Sequence, residues 1–142
     1  MALYYNLPVY KASYGLTQRI FLEVENFSRE YKYTTGQEMK NEAMLLIKNI
    51  YRANREIEKI PHIQQARESL EMIRLQLRLT QDFGQLDLKK FVQINQLIEN
   101  VSKQLANWEK FSKTKAIPLI LKQEKDFKNA RISCCQGATE RA

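Results

Sequence analysis

From Met39 to Ile60, apolar residues return at steps of four and three: Met39, Ala43, Leu46, Ile50, Ala53, Ile57 and Ile60. At about 100° per residue that spacing draws one stripe down an α-helix, and such a stripe is buried against other helices. Thr35 and Glu38 have the spacing of a capping box, which predicts the start of this helix at Thr35. Pro61 predicts its end near Lys59 to His62, because the residue before a proline is pushed away from helical angles.

Three more stripes follow the same rhythm. Leu7 and Pro8 open a first helix, proline being tolerated in a first turn, with Val9, Ala12, Leu16, Ile20 and Phe27 on its apolar face. Ser28 to Thr35 is polar and aromatic and interrupts it. A third helix carries Ala66, Leu70, Ile73 and Leu77 and stops at Gly84. Asp87 caps a fourth with Phe91, Ile94, Ile98, Val101, Leu105 and Trp108 inward. The alternation Ile73, Leu75, Leu77, Leu79 would also fit a strand, but it lies inside a helical pattern about twenty residues long, without turn signals. Four helices with short links predict an all-α fold, an antiparallel up-down-up-down four-helix bundle over residues 1–112. Residues 113–142 read as a basic, partly disordered tail: Pro118 breaks the apolar patch Ile117 to Leu121, Lys122 to Arg131 form a short helix, and the sequence from Ser133 is small and polar.

The formal charge of +7 and pI near 9.4 suit a polyanionic partner. Up to Ser112 sixteen Lys and Arg face thirteen Asp and Glu, and from Lys113 seven face three, so the bundle is basic by arrangement more than by sum. No segment approaches the roughly 18 continuous apolar residues of a membrane span, and Met1 to Leu7 lacks a cationic stretch followed by an apolar run. Adjacent Cys134 and Cys135 have no further thiols to join in a disulfide framework or zinc site, which fits a reducing, cytoplasmic setting.

Converging acids, bases, nucleophiles or metal ligands are scarce. His62 is the one histidine and has no second ligand at metal spacing, and glycine-rich phosphate loops are absent. No catalytic residue, metal site or cofactor is expected. Arg55 and His62 loosely resemble the Arg-His pair of helical-bundle ribonucleases of the HEPN class, where the imidazole takes a proton from a ribose hydroxyl and the guanidinium steadies phosphate charge. Glu56 and Pro61 depart from that pattern: the first replaces a small polar residue and the second interrupts the helix.

The cations are patterned instead. Lys48, Arg52, Arg55 and Lys59 stack in one row opposite the buried stripe, like charges one turn apart that an anion would relieve. Arg67, Arg74 and Arg78 share one sector of the third helix, and if the second and third helices are neighbours the two rows merge. No base-reading motif accompanies them, so binding would follow shape and charge. Surplus apolar stripes, Tyr10, Tyr14 and Phe21 on the first helix and Met72, Leu75, Leu79 and Phe83 on the third, favour an oligomer or a docked protein. Met44, Leu45 and Tyr51 flank the cations of the second.

The segments YNLPVYKASY from Tyr5, NFSREYKYTTGQEMKNE from Asn26, LIKNIYRAN from Leu46 and LKKFVQINQLIENVSKQLANW from Leu88 resemble the accessory variability determinant (Avd) family of diversity-generating retroelements. That family belongs to a wider four-helix-bundle group that includes proteins encoded in ribosomal RNA intervening sequences. The resemblance covers Tyr4 to about Lys110. It implies a non-enzymatic, basic homopentamer that binds nucleic acid and docks on the element's reverse transcriptase during error-prone copying of template RNA. On matching positions it implies Lys48, Arg52, Arg55, Arg74 and Arg78 as contacts for RNA, DNA or polymerase, with Lys89 and Lys90 as further candidates. The spare stripes then become subunit or polymerase contacts. A structural bundle of the intervening-sequence type, without a polymerase, is the alternative.

Overall fold

The computed structural model describes the backbone of residues 3–141 and the side chains of residue 3 and residues 5–114. A 3-10 turn, Tyr4–Asn6, precedes α1 (Pro8–Glu25), the single turn α2 (Arg29–Lys32), α3 (Thr35–Arg55), α4 (Ile60–Asp82) and α5 (Leu88–Arg141). No strand occurs among the described residues. The chain divides into two units, 1–109 and 110–142, and the bundle lies in the first. In the second, the Thr114 hydroxyl donates to the Lys110 carbonyl, 2.9 Å away. α5 passes through Ser112. The expected tail falls largely on residues 115–142, whose side chains lie outside the described residues.

Apart from the last residues of the α3 stripe, the four long helices bury the stripes their sequences specify. Leu16, Ile20 and Val24 of α1 meet Met39, Ala43, Leu46, Ile50 and Ala53 of α3, Ile63, Ala66, Leu70, Ile73 and Leu77 of α4, and Ile94, Ile98, Val101 and Leu105 of α5, all essentially without solvent contact. In the alternating run, Ile73 and Leu77 are buried while Leu75 and Leu79 are exposed, which a helix produces and a strand cannot. Cross-helix pairs fix the directions. Arg19 and Glu23 meet Gln93 and Lys90, and Arg67 and Arg74 meet Glu109 and Glu99, so α5 runs antiparallel to both α1 and α4. α3 packs on both α1 and α4, returning to α4 through the four-residue link 56–59.

Two helix ends behave as their residues predict. Gly84, at φ 77°, occupies the left-handed region that favours glycine and closes α4, its N–H bonding the Gln81 carbonyl at 3.0 Å. The Asp87 carboxylate accepts the Lys90 N–H at 2.8 Å, capping α5. α3 begins where expected, but not by a capping box. Thr34 is its N-cap, with no side-chain cap bond, and the Thr34 hydroxyl donates back to the Glu30 carbonyl at 2.7 Å. Thr35, the expected cap, is instead the first helical residue, which puts Glu38 one position past the N3 place that a capping box requires.

α3 also ends one turn early. Glu56 is extended (φ −82°, ψ 152°), and Ile57, expected in the core, is 90% exposed; Ile60 opens α4 half-buried. Pro61 sits in the first turn of α4, where its missing N–H is harmless. Phe27 lies two residues beyond α1 yet is buried.

Gly36 holds the start of α3 against α1. A Cβ there would lie 2.6 Å from Val24 Cγ1 and 3.1 Å from the Tyr31 carbonyl oxygen. Val24 is fully buried and β-branched, so it has little room to yield. Gly36→Ala is therefore expected to destabilise the bundle by about 1–2 kcal/mol, overpacking outweighing the gain in helix propensity. Thermal unfolding checks this: a rise in Tm would contradict the close approach.

Candidate nucleic-acid interface

The exterior of α3 is built by its heptad. Burying Met39, Leu46 and Ile50 turns Lys48, Arg52 and Arg55 outward, and all three are exposed. Lys48 and Arg52 make no ion pair or hydrogen bond among the described residues. Arg55 Nε reaches Glu56 Oε1 only at 4.0 Å, with both side chains more than half exposed, a pairing worth little in water.

Lys59 leaves this row. Because α3 stops at Arg55, the Lys59 ammonium folds back and donates to the carbonyls of Ala53, Asn54 and Glu56 at 2.9, 3.1 and 3.0 Å. It thereby satisfies the bare C-terminal end of the helix. Burial lowers its pKa below the usual lysine value, against the opposing pull of Glu56. The expected four-rung ladder is three rungs and a cap.

The α4 row faces elsewhere. Arg67 pairs with Glu109, a carboxylate only 6% exposed that also accepts from Gln64 at 3.2 Å. Arg74 reaches Glu99 at 3.0 Å and Glu71 at 3.7 Å, and its Nε is buried without a partner. Both guanidinium groups therefore lie toward α5, so this row does not merge with that of α3 as expected. Arg78, exposed at the end of the row, makes no ion pair or hydrogen bond among the described residues. The helical wheel showed that the three arginines share a sector; only packing decides which neighbour that sector meets.

Near the start of α5, Lys89 is exposed and Lys90 is 3.4 Å from Glu23. Glu23, largely buried, also holds Arg19 Nε at 2.9 Å, and Arg19 reaches Gln93 Oε1 at 2.8 Å. This α1–α5 network went unrecognised in the sequence, although the Arg19–Glu23 spacing of four residues signals its first half.

The surplus apolar residues remain outside. Tyr10 is half-buried and stacks on exposed Tyr14 with centroids 6.2 Å apart. Phe21 lies under the Lys40 ammonium, 5.2 Å from its ring centroid. On α4, Met72, Leu75 and Leu79 are exposed, while Phe83 stacks on Tyr31 at 5.4 Å and so has a partner within the chain. Leu88 and Val92 of α5 are also exposed and were not anticipated.

Arg55 and His62 occupy different helices, with the link between them. His62 Nδ1 is buried without a hydrogen bond among the described residues. No group of three or more His, Cys, Asp or Glu able to hold a metal occurs among the described residues, and no helix there is long and apolar enough to cross a membrane.

Fold and exterior together define a basic helical bundle whose distinctive chemistry is surface charge. The sequence pattern of the bAvd-like family matches residues 9–112, from α1 through the bundle portion of α5, and the chain belongs to that family. No curated protein matches it.

Proposed function

We propose that the protein is a non-enzymatic accessory factor of a diversity-generating retroelement, acting in the cytoplasm as a homopentamer. It docks on the element's reverse transcriptase and holds template RNA or the copied DNA by charge during mutagenic copying. Family membership over residues 9–112 carries this reading. It is supported by three exposed cations, Lys48, Arg52 and Arg78, that no acid neutralises among the described residues. Tyr14 and Phe21 on one side and Met72, Leu75 and Leu79 on another offer apolar area for neighbouring copies or for the polymerase.

Co-expression with the reverse transcriptase encoded beside its gene tests the proposal. The two proteins are expected to co-purify, and light scattering of the accessory protein alone should give about five times the 16.8 kDa chain mass. A monomer that ignores the polymerase would overturn it. RNA cleavage lost in His62→Ala would contradict the non-enzymatic part.

A further inference from the structure

From the arrangement of α3 we infer that its outer face is a tract for single-stranded nucleic acid, in which Lys48, Arg52 and Arg55 take the phosphates and Tyr51, Met44 and Leu45 take base faces. The inference rests on the proposed nucleic-acid binding and names the face and the form of the ligand.

Three observations point there. First, sign: at about 100° per residue, the sector centred on Lys48 from Gln37 to Arg55 contains no Asp or Glu, and Glu38 and Glu42 fall on the flank beyond it. Second, availability: the cations of this face are not engaged as those of α4 are. Arg67 and Arg74 are held by carboxylates, so recruiting them to phosphate would dismantle contacts between α4 and α5. Third, apolar surface: Met44 and Tyr51 border one edge of the cationic row and Leu45 the other, with Met44 55% exposed and Tyr51 40% exposed. A duplex hides its base faces, so it gains charge neutralisation here but nothing from these side chains. An unpaired strand gains both. An acidic protein segment would gain from the charge, but it offers no array of flat rings to place beside the apolar border.

The full chain is titrated with a labelled single strand of about twenty nucleotides, as RNA and as DNA, and with the corresponding duplex. Single strands are expected to bind about tenfold more tightly than duplex, stacking supplying the difference. Whichever sugar form binds more tightly identifies the source strand. Lys48→Glu with Arg52→Glu should lower single-strand affinity by at least about tenfold and flatten the log–log salt dependence by about 1.4, from two lost phosphate contacts. Lys11→Glu with Lys103→Glu, exposed positions on α1 and α5, makes the same change in net charge and should have a far smaller effect. Tyr51→Leu keeps the charge; it should weaken single-strand binding several-fold and leave the salt slope and duplex binding unchanged.

Equal or tighter duplex binding would overturn the inference. So would equal losses in the two charge pairs, a silent Tyr51→Leu, or an α3 pair that loses the polymerase while keeping RNA. If the wild type binds neither strand form at low salt, the proposed nucleic-acid function falls with it. The other failures leave that broader function standing.

Discussion

Arg67→Met is expected to destabilise the bundle by about 2 kcal/mol, and Glu109→Met added to it should restore most of the loss. Glu109 is 6% exposed, so removing the guanidinium takes the Arg67 ion pair away from a carboxylate that is largely out of water. Stranding a fully buried charge costs roughly 3–5 kcal/mol, and the 46% exposure of Arg67 indicates enough water nearby to reduce that figure. Replacing both partners with apolar side chains removes the charge to be solvated, a change that is often neutral. Chemical denaturation of the two single variants and the double variant forms a cycle that isolates the coupling. Additive losses would mean that the pair does not lock α4 to α5. The cycle also separates stability from binding: if Arg67 is a structural clamp, Arg67→Met should alter RNA affinity by little more than one generic positive charge.

Nucleic-acid affinity should fall about tenfold or more between 50 and 200 mM salt. If three cations of one α3 face each displace a condensed counterion, the log–log slope for a single strand is about −2, which over a fourfold salt change is a factor of roughly 16. An assembly that presents several copies of the face to one strand would steepen the slope, because the contacts add along the polymer. Changing the base sequence should have little effect, since phosphates carry no sequence information and base faces discriminate weakly. Titrations at three salt concentrations with two unrelated sequences measure both effects. A flat response would remove charge as the basis of recognition and would count against Lys48, Arg52 and Arg55 together.

Legibility differed between the core and the surface for a physical reason. Leu46, Ile50, Leu70, Ile73, Ile94 and Ile98 are buried because burial follows helical periodicity, which depends only on spacing along the chain. Gly84 and Asp87 were readable for a related reason: each acts on backbone groups within a few residues of itself. The family resemblance was equally visible in the sequence, and the matched span 9–112 agrees with it. Ile57 escaped because periodicity continues in the text after the helix has stopped.

Charge was another matter. The wheel placed Lys48, Arg52 and Arg55 together, but it gave Lys59 the same standing, and Lys59 became a cap once the chain turned at Glu56. It likewise grouped Arg67 with Arg74 and Arg78 without indicating that Glu99 and Glu109, far along the chain, would arrive beside the first two. From sequence alone came the four long helices, most of their buried faces and the family, all carried by short-range periodicity and local residue patterns. The tertiary structure alone decided which cations are occupied and which remain available, because an ion pair between helices depends on two side chains meeting in space, and only packing brings them there.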